Sequence, residues 1–304
     1  MSLLGKDPCE NTTAPTNLSI FTASCSILIT IVSSVGNSLV VLAVFLNPNR
    51  DMRTPFYYFV VNLSIADLIV GLITGSMSTV YHIFAAIDEP KKLFGTVLIV
   101  AFFVSCTVSL LSLTALALER YLAIVHPTTY RTQLSPVRAF LVSVLVWILS
   151  ILLTMIYFFV QYNIYRFIFA NTALAVTIVA LIFTNAKILK YLRHQMQQWD
   201  TFHESTEENL IMRQLMWEKK MTKTLLIVML LLLAFYLPSC IFIYIINLCK
   251  DCNCVFIHWI RDTQFLLVMA NSAVNPFVFP WRLENFRSAF RSIVTCRARR
   301  SDSD

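Results

Sequence analysis

Seven long apolar runs follow one another along the chain, separated by short stretches in which the charged residues gather. Each run exceeds the roughly 20 apolar residues that a helix needs to cross the hydrocarbon core of a bilayer. Because backbone groups in lipid must bond within their own segment, we predict that the runs are helices. The predicted spans are 19–46, 55–85, 93–124, 137–160, 163–192, 220–248 and 256–279.

The composition argues against a soluble globular domain. Of the 304 residues, 57% are hydrophobic and 13% are charged, whereas soluble chains carry roughly 25% charged residues. The net charge of +7 does not indicate nucleic-acid binding, because the charges fall between the apolar runs and not on one face. No nucleophile–base set stands out. We therefore expect an all-α membrane protein embedded in a lipid bilayer, with no enzyme activity and no nucleic-acid partner.

The basic residues predict the orientation of the chain. Six of the 24 Lys and Arg residues lie on one side of the predicted spans, and the others lie on the opposite side. The six are Lys6, Lys91, Lys92, Arg166, Lys250 and Arg261. Since basic segments stay in the cytosol, we expect residues 1–18 outside the cell, a bundle over 19–281, and a cytoplasmic tail over 282–304 at the plasma membrane. Asn11 in "NTT" and Asn17 in "NLS" are glycosylation acceptors, which agrees with an outer N-terminus.

Asp67 is an ionisable residue inside the second predicted span, in "NLSIADLIVGL". A carboxylate within the membrane is costly and indicates a function by default. Together with polar residues of other spans it would make an oxygen-rich cage for sodium or a proton. The alternative is that these groups are polar contacts that hold helices together. The polar candidates are Asn37, Ser109, Asn271, Ser272 and Asn275.

Glu119 and Arg120 stand side by side where the third predicted span reaches the cytosol. Arg120 has two candidate partners, its neighbour Glu119 and Glu218 near the start of the sixth span. A bond to Glu218 would tie two helices together, and breaking it would open a cytoplasmic cleft. Alternatively, the charges merely end a helix. Pro238 and Pro276 predict kinks in the sixth and seventh spans.

Six motifs occur in order on the seven spans, and a short amphipathic segment, "NFRSAF", follows them. Together they resemble the rhodopsin-like (class A) G-protein-coupled receptors over nearly the whole chain. The resemblance implies a seven-transmembrane helix bundle with a short amphipathic eighth helix, and palmitoylation of Cys296. The motifs are "GNSLVV" (36–41), "NLSIAD" (62–67), "ERYLAIVHP" (119–127), Trp147, "FYLP" (235–238) and "NSAVNPFVF" (271–279).

The resemblance also implies a mechanism. An extracellular ligand would shift a two-state bundle whose inner face binds a heterotrimeric G protein, with arrestin and a receptor kinase as further partners. It favours the sodium site at Asp67 over simple helix contacts. The residues implied in coupling and switching are Glu119, Arg120, Tyr121, Pro127, Tyr130, Glu218, Tyr236, Pro238, Asn275, Pro276 and Phe279.

Two missing residues, a Cys and a Pro, and the third outer loop indicate which branch of the family the chain resembles. The usual Cys at the start of the third span is Gly95 here, and the fifth span lacks its central Pro. This resembles the melanocortin, cannabinoid, lysophospholipid and adenosine group. The loop "LCKDCNCVF" is similar to the melanocortin pattern, which implies pairing of Cys249 with Cys252 and of Cys9 with Cys254. Spacing alone leaves the connectivity open.

The ligand does not follow from the resemblance. The Asp that amine receptors use in the third span corresponds to Phe102 here. The expected pocket is apolar and aromatic, which favours a hydrophobic or weakly polar ligand or a small peptide. The alternative is ordinary helix packing. The expected lining residues are Phe102, Phe103, Cys106, Tyr236, Phe242, Phe265 and Met269.

Three departures from the family pattern keep a second interpretation open. Tyr236 replaces a Trp of the sixth span, while Phe279 and Asn185 replace tyrosines that stabilise the active state in the family. A receptor-like protein with weak or no signalling, acting as a binding or dimerisation partner, is the alternative. A transporter is less favoured, because the chain shows neither internal repeats nor broken helices.

Overall fold

The computed structural model describes residues 9, 12–46, 52, 54–87, 92–160, 162–199, 206–249 and 252–294, and every regular element among them is a helix. The elements are α1 (Thr16–Leu46), α2 (Pro55–Ile69), a π-helical segment (Val70–Gly75), α3 (Ser76–Ala86), α4 (Lys92–Val125), α5 (Pro127–Gln133), α6 (Pro136–Met155), a 3-10 turn (Ile156–Phe158), α7 (Tyr162–Trp199), α8 (Thr206–Leu248), α9 (Cys254–Arg282) and α10 (Glu284–Val294).

Nine of these elements form the seven rods of a bundle, because α2, the π-helical segment and α3 run on as one rod. Within the described residues, six rods are long and apolar enough to cross a membrane. The seventh, α9, has 29 residues but is more polar. Its polar side chains are buried against the other rods rather than exposed. The buried ones are His258, Gln264, Asn271, Ser272 and Asn275.

The rods pack in a closed ring. Helix α1 contacts α3 and α9, α2 contacts α4, α4 contacts α7, α7 contacts α8, and α8 contacts α9, while α6 lies against α2 and α4. The outer surfaces expose large apolar side chains such as Phe45, Leu72 and Phe183. A soluble monomer rarely exposes so much apolar surface. The all-α seven-helix membrane bundle predicted from the sequence is therefore confirmed, and α10 follows it as the short eighth helix.

Two helices are longer than hydropathy predicted. The fifth span was predicted to end at residue 192, but α7 continues to Trp199, and α8 begins at Thr206 and not at residue 220. The added stretches are polar, yet they are rich in Gln, Glu, Met, Leu and Lys, which favour helix. Hydropathy marks the thickness of the lipid and does not mark the end of a helix, so the predicted boundaries were too short.

The π-helical segment lies one turn beyond Asp67 and was not predicted. It begins at Val70 and contains Gly71 and Gly75. A Cβ atom on Gly71 would lie 2.7 Å from Ser34 Oγ, and one on Gly75 would overlap Thr30 Oγ1. The backbone of this segment therefore approaches α1 closely, and a side chain at Gly71 or Gly75 would have to displace Ser34 or Thr30. These two glycines were the sequence signal for the close approach.

Pro238 and Pro276, at which kinks were predicted, both lie inside long helices. Helix α8 runs through Pro238 and α9 runs through Pro276. Each proline removes a backbone hydrogen bond, which weakens the helix at that level. Pro276 also packs on α1, where a Cβ atom on Gly36 would lie 2.6 Å from its Cγ.

Two disulfides mark one end of the bundle, which we call the disulfide end. Cys9 is bonded to Cys254 at the start of α9, and Cys249 is bonded to Cys252 between α8 and α9. This is the connectivity that the resemblance implied. We call the opposite end, where α4 finishes, the Arg120 end.

Two predicted modification sites, Asn11 and Cys296, lie outside the described residues. Asn17 is exposed in the first turn of α1, and its Oδ1 accepts a hydrogen bond from the backbone N–H of Leu18 at 2.9 Å. Its glycosylation stays a prediction.

Candidate functional site

Arg120 lies near the end of α4, and only 5% of the residue is exposed. Its Nε and Nη2 atoms donate to the two carboxylate oxygens of Glu119. Its guanidinium also lies 4.7 Å from the centroid of the Phe56 ring on α2. The Tyr130 hydroxyl on α5 donates to Glu119 Oε1 at 2.9 Å. This cluster of Phe56, Glu119, Arg120 and Tyr130 joins three helices and shelters an ion pair.

The predicted ion pair between Arg120 and Glu218 does not occur among the described residues, so that prediction is wrong for this conformation. Glu119 offers both oxygens from the same helix turn and needs no movement of α8. The contacts that the structure shows for Arg120 are instead with Glu119 and Phe56. The backbone carbonyl of Glu218 accepts a hydrogen bond from Thr222 Oγ1 at 2.9 Å within α8.

The Arg120 end of α8 is tied to α10. Lys220 Nζ donates to Glu284 Oε1 at 2.9 Å, and Arg287 approaches the same oxygen at 3.3 Å. The Lys220 hydrogen bond, followed by the charges of Lys220 and Arg287, lowers the pKa of the Glu284 carboxyl. Since Glu284 is exposed, water screens this tie and it holds α8 only weakly.

The remaining predicted residues at this end occupy separate positions. The Tyr121 hydroxyl lies 3.2 Å from His126 Nε2 and does not join the Glu119 pair. Pro127 is the first residue of α5. Burial, followed by the Glu119 charge, raises the pKa of Tyr130. Its hydroxyl therefore stays protonated at neutral pH and remains a donor.

Asp67 is fully buried and joins three helices. Its Oδ2 accepts a hydrogen bond from Asn275 Nδ2 on α9 at 2.8 Å. Its backbone carbonyl accepts from Ser33 Oγ on α1 at 2.9 Å. Asn37 Nδ2 donates to the backbone carbonyls of Ser33 and Ser272 at 2.9 and 3.1 Å. The predicted juxtaposition of Asp67 with Asn275 is therefore present, together with Ser33, which the sequence analysis did not include.

The residues around Asp67 fit a small hard cation. Within the described part of the chain, Asp67 Oδ1 and Asn37 Oδ1 are buried acceptors without a hydrogen-bond partner. Ser109 and Asn271 are also buried. Carboxylate, hydroxyl and amide oxygens suit such a cation, whereas sulfur and imidazole ligands would suit a transition metal. The described residues contain no group of three or more His, Cys, Asp or Glu that could hold a metal.

A second polar bridge links α2, α4 and α6. Asn62 Nδ2 donates to Ser112 Oγ at 2.7 Å, and Trp147 Nε1 donates to Asn62 Oδ1 at 3.0 Å. The motifs included Asn62 and Trp147, but their mutual contact was not predicted.

A small cavity of about 30 Å³ lies between α4, α7, α8 and α9. Four of the seven predicted ligand-pocket residues line it. The Phe265 ring packs against Phe102 at a tilt, with 4.8 Å between the ring centroids. The predicted lining residues that the cavity includes are Phe102, Phe103, Cys106 and Tyr236.

Two of the predicted pocket residues lie elsewhere. Phe242 packs in the apolar cluster around Cys9 and Ile257 at the disulfide end. Met269 is fully buried in the main core. Helical spacing placed both at a suitable depth, but the rotation of α8 and α9 turns their side chains toward other neighbours.

Three polar residues of the cavity wall were not predicted, namely Arg166, Ser239 and Gln264. Only 2% of Arg166 is exposed. We expected it among the charges outside the membrane, although a single Arg within an apolar run was a signal. Ser239 Oγ donates to the backbone carbonyl of Phe235 at 2.8 Å.

A buried ionisable pair near the disulfide end was also missed. His82 Nδ1 on α3 lies 3.8 Å from Asp262 Oδ2 on α9. Thr22 Oγ1 on α1 donates to the same Asp262 oxygen at 2.9 Å. These contacts join α1, α3 and α9 at a level nearer the disulfide end than Asp67.

The three positions that depart from the family pattern are all buried. Tyr236 lines the cavity two residues before Pro238. The Phe279 ring lies 6.0 Å from the Phe286 ring of α10, centroid to centroid. Asn185 Nδ2 donates to the backbone carbonyl of Leu181 at 2.8 Å.

These features define a seven-helix membrane bundle, with a cavity inside it and a sheltered Arg–Glu pair at one end. Comparisons with known proteins show what the chain is similar to. The model of the rhodopsin family of seven-transmembrane receptors matches residues 36–166. The human histamine H2 receptor is 27% identical over 303 residues, which cover 90% of this chain and 81% of that protein.

Two further relatives match most of the chain at similar identity. The sheep adenosine receptor A3 is 26% identical over 324 residues, covering 96% of each chain. The mouse 5-hydroxytryptamine receptor 1B is 25% identical over 336 residues, covering 88% of this chain and 85% of that protein. The chain is thus similar over most of its length to rhodopsin-like (class A) G-protein-coupled receptors, which are not enzymes. Its melanocortin-like placement within the family stays a prediction.

Proposed function

We propose that this receptor sits in the plasma membrane, binds an extracellular ligand at its disulfide end, and activates a heterotrimeric G protein at its Arg120 end. The observation that carries the proposal is the state of Arg120. Its charge is buried, and its fork is occupied by Glu119 of the same helix. The Arg120 guanidinium could exchange Glu119 for an acceptor on a docking partner once the helices around it separate.

The cavity offers a route from ligand to helix movement. Tyr236 lines the cavity and lies two residues before Pro238 in α8. Because Pro238 cannot donate to the carbonyl of Ala234, α8 can bend at this level. A ligand that displaces Tyr236 would move the Arg120 end of α8. The exposed Lys220–Glu284 tie would offer little resistance.

Sodium is the proposed allosteric ion. Asp67, Ser109, Asn271, Ser272 and Asn275 would hold it, and it would supply positive charge to the buried carboxylate. The hydrogen bonds of Asp67 to Asn275 and Ser33 support this, because they already draw α1, α2 and α9 together at that level. A bound ion would favour the helix arrangement in which these groups are close.

The ligand is proposed to be hydrophobic, weakly polar or a small peptide. The names of the relatives refer to histamine, adenosine and 5-hydroxytryptamine. A simple amine is disfavoured here, because Phe102 provides no counter-charge in the cavity. Arrestin and a receptor kinase are proposed as partners of the active state.

The test is nucleotide exchange on purified heterotrimeric G proteins of each class, with the receptor in lipid nanodiscs. Wild type should accelerate exchange on at least one class relative to empty nanodiscs. Arg120→Ala should reduce this acceleration at least tenfold, and Arg120→Lys, which keeps the charge but not the fork, should lie between the two. Phe279→Tyr serves as a second background in which the active state gains a hydroxyl. No acceleration in either background would refute the proposal.

A further inference from the structure

The outward face of α7 changes from apolar to basic toward the Arg120 end. Val179 and Ile182 are exposed on the part of this face that lies in the membrane. Among the described residues, Phe183 is the last large apolar side chain exposed on it, and its ring lies 6.2 Å from that of Tyr121, centroid to centroid. Because Tyr121 directly follows Arg120, the apolar part of the face ends where the bundle reaches water.

The basic side chains that follow Phe183 lie on one side of α7, and we call them the basic stripe. Each lies three or four residues from another, so they share a face of the helix, and each is exposed. The opposite side of α7 turns toward α4, because Ile188 and Leu192 are buried against Ile124. The basic stripe consists of Lys187, Lys190, Arg193 and His194.

Within the part of the chain that the structure describes, no side chain of the basic stripe takes part in an ion pair or a hydrogen bond. Lys187 Nζ lies 5.6 Å from the centroid of the Phe183 ring. Other basic residues at this end are engaged by the protein. Arg138 Nη1 donates to two backbone carbonyls at 3.2 and 2.6 Å, and Lys220 Nζ donates to Glu284. The charges of the basic stripe are therefore available to an acceptor outside the protein.

An open groove of about 570 Å³ lies along the basic stripe. This volume falls within the roughly 300–1,000 Å³ that small-molecule sites occupy. From Lys187 to Arg193 the helix rises by about 9 Å, at roughly 1.5 Å per residue. An acceptor that meets the whole stripe must therefore extend away from the membrane face. The described residues that line the groove are Ala186, Leu189, Lys190, Arg193, His194 and Gln197.

We infer that the basic stripe binds the head group of an anionic phospholipid and prefers an inositol ring that carries further phosphates. The phosphodiester lies near Lys187 at the membrane face, and the ring phosphates extend to Lys190 and Arg193. Phosphate oxygens accept charge-assisted hydrogen bonds from lysine and arginine. The acyl chains pack on Ile182 and Phe183, which are exposed directly beside the stripe.

A lipid is favoured over an acidic segment of a protein, because the stripe continues a surface that already faces lipid. Basic residues next to a membrane attract anionic lipids in general. The length of the stripe adds a preference, since a serine head group carries its one phosphate at the membrane face and does not extend to Arg193. This inference goes beyond the proposed function and does not depend on it.

The first experiment lets lipids compete for the purified full chain in detergent. Native mass spectrometry counts the lipids retained from an equimolar mixture of phosphatidylcholine, phosphatidylserine, phosphatidylinositol and phosphatidylinositol bisphosphate with identical acyl chains. The bisphosphate should be retained at least fivefold more than phosphatidylserine. A tenfold excess of soluble inositol trisphosphate or of a poly-glutamate peptide should leave most of the lipid bound, because neither has acyl chains.

The second experiment removes charge from the basic stripe. Lys190→Gln/Arg193→Gln should lower retention of the bisphosphate lipid at least tenfold, because each basic residue near the membrane surface contributes its own attraction. Lys190→Arg/Arg193→Lys, which keeps both charges, should retain it within threefold of wild type. Arg131→Gln is the matched control for Arg193→Gln, since both arginines are exposed at the Arg120 end but Arg131 lies on α5. Arg193→Gln should lower retention at least threefold, and Arg131→Gln should not change it.

Three results would overturn the inference. Retention of phosphatidylserine equal to that of the bisphosphate would show a general attraction of charge without recognition of the head group. Retention by Lys190→Gln/Arg193→Gln within twofold of wild type would show that the lipid binds elsewhere. Complete displacement by inositol trisphosphate or poly-glutamate would show a site for soluble anions. Because nucleotide exchange is not measured, a failure of G-protein signalling would leave this inference standing.

Discussion

Tyr130→Phe is expected to raise the ligand-independent activity of the receptor. The Tyr130 hydroxyl donates to Glu119 Oε1 at 2.9 Å, and the Glu119 carboxylate occupies the fork of Arg120. Removing the hydroxyl takes away one bond that holds Glu119 in place. The ring, and any contact that a G protein makes with it, remains.

The size of the effect follows from the type of bond. A hydrogen bond to a charged group contributes about 1.5–3 kcal/mol. Because Tyr130 is only half-buried, water replaces part of the loss, and the lower end of the range applies. If the bond exists only in the resting state, about 1.4 kcal/mol changes the resting-to-active ratio tenfold. Since the pKa of Tyr130 is raised, the hydroxyl stays protonated, and the difference should persist into mildly alkaline solution.

The assay is basal nucleotide exchange by receptor in nanodiscs without ligand. Tyr121→Phe is the control, because it removes a nearby hydroxyl that contacts His126 and not Glu119. Equal basal rates for wild type and Tyr130→Phe, with Arg120→Ala still abolishing coupling, would show that the hydroxyl does not restrain the resting state. An equal increase for Tyr121→Phe would point to a general loosening of this end.

Three further outcomes are expected. Sodium should stabilise the protein against heat by about 1.4 kcal/mol for each tenfold rise in concentration above its Kd, and Asp67→Asn should abolish this dependence; equal dependence in both proteins would contradict the site. Gly75→Ala should destabilise the protein by about 1–3 kcal/mol, because its Cβ would overlap Thr30, while Gly95→Ala, whose Cβ would lie 3.5 Å from its nearest neighbour, should melt like wild type. Simple biogenic amines should bind weakly, since a cation–π contact with Phe102 contributes only about 0.5–2 kcal/mol; a submicromolar Kd would refute this.

Hydropathy was sufficient to predict the seven rods, because burial in lipid dictates one apolar run for each rod. It did not predict the π-helical segment from Val70, since the hydrogen-bond register of a helix leaves apolar content unchanged. Nor could it place the ends of α7 and α8, where helix formation continues into polar sequence. These features depend on local backbone geometry, for which Gly71 and Gly75 were the visible sign.

The candidate site, like the fold, could be predicted from the sequence only in part. Asp67 and Asn275 could be matched by depth in the membrane, and the structure places them in hydrogen-bond contact. The partner of Arg120 could not be chosen in this way, because two carboxylates were within reach. Arg166 was misread because a charge near the end of a span faces water or protein according to the rotation of the helix. Rotation is set by packing, which the sequence does not display directly.

The Cys9–Cys254 bond turns most of this receptor into a covalent ring. The two cysteines are 245 residues apart, and six of the seven rods lie wholly between them. A protease that cuts any single loop inside the ring opens it but does not separate its pieces. Such a nicked receptor would run as one band on a denaturing gel without reductant and would fall into two fragments only after reduction. Loss of intact chain on a reducing gel would therefore overstate the loss of assembled receptor.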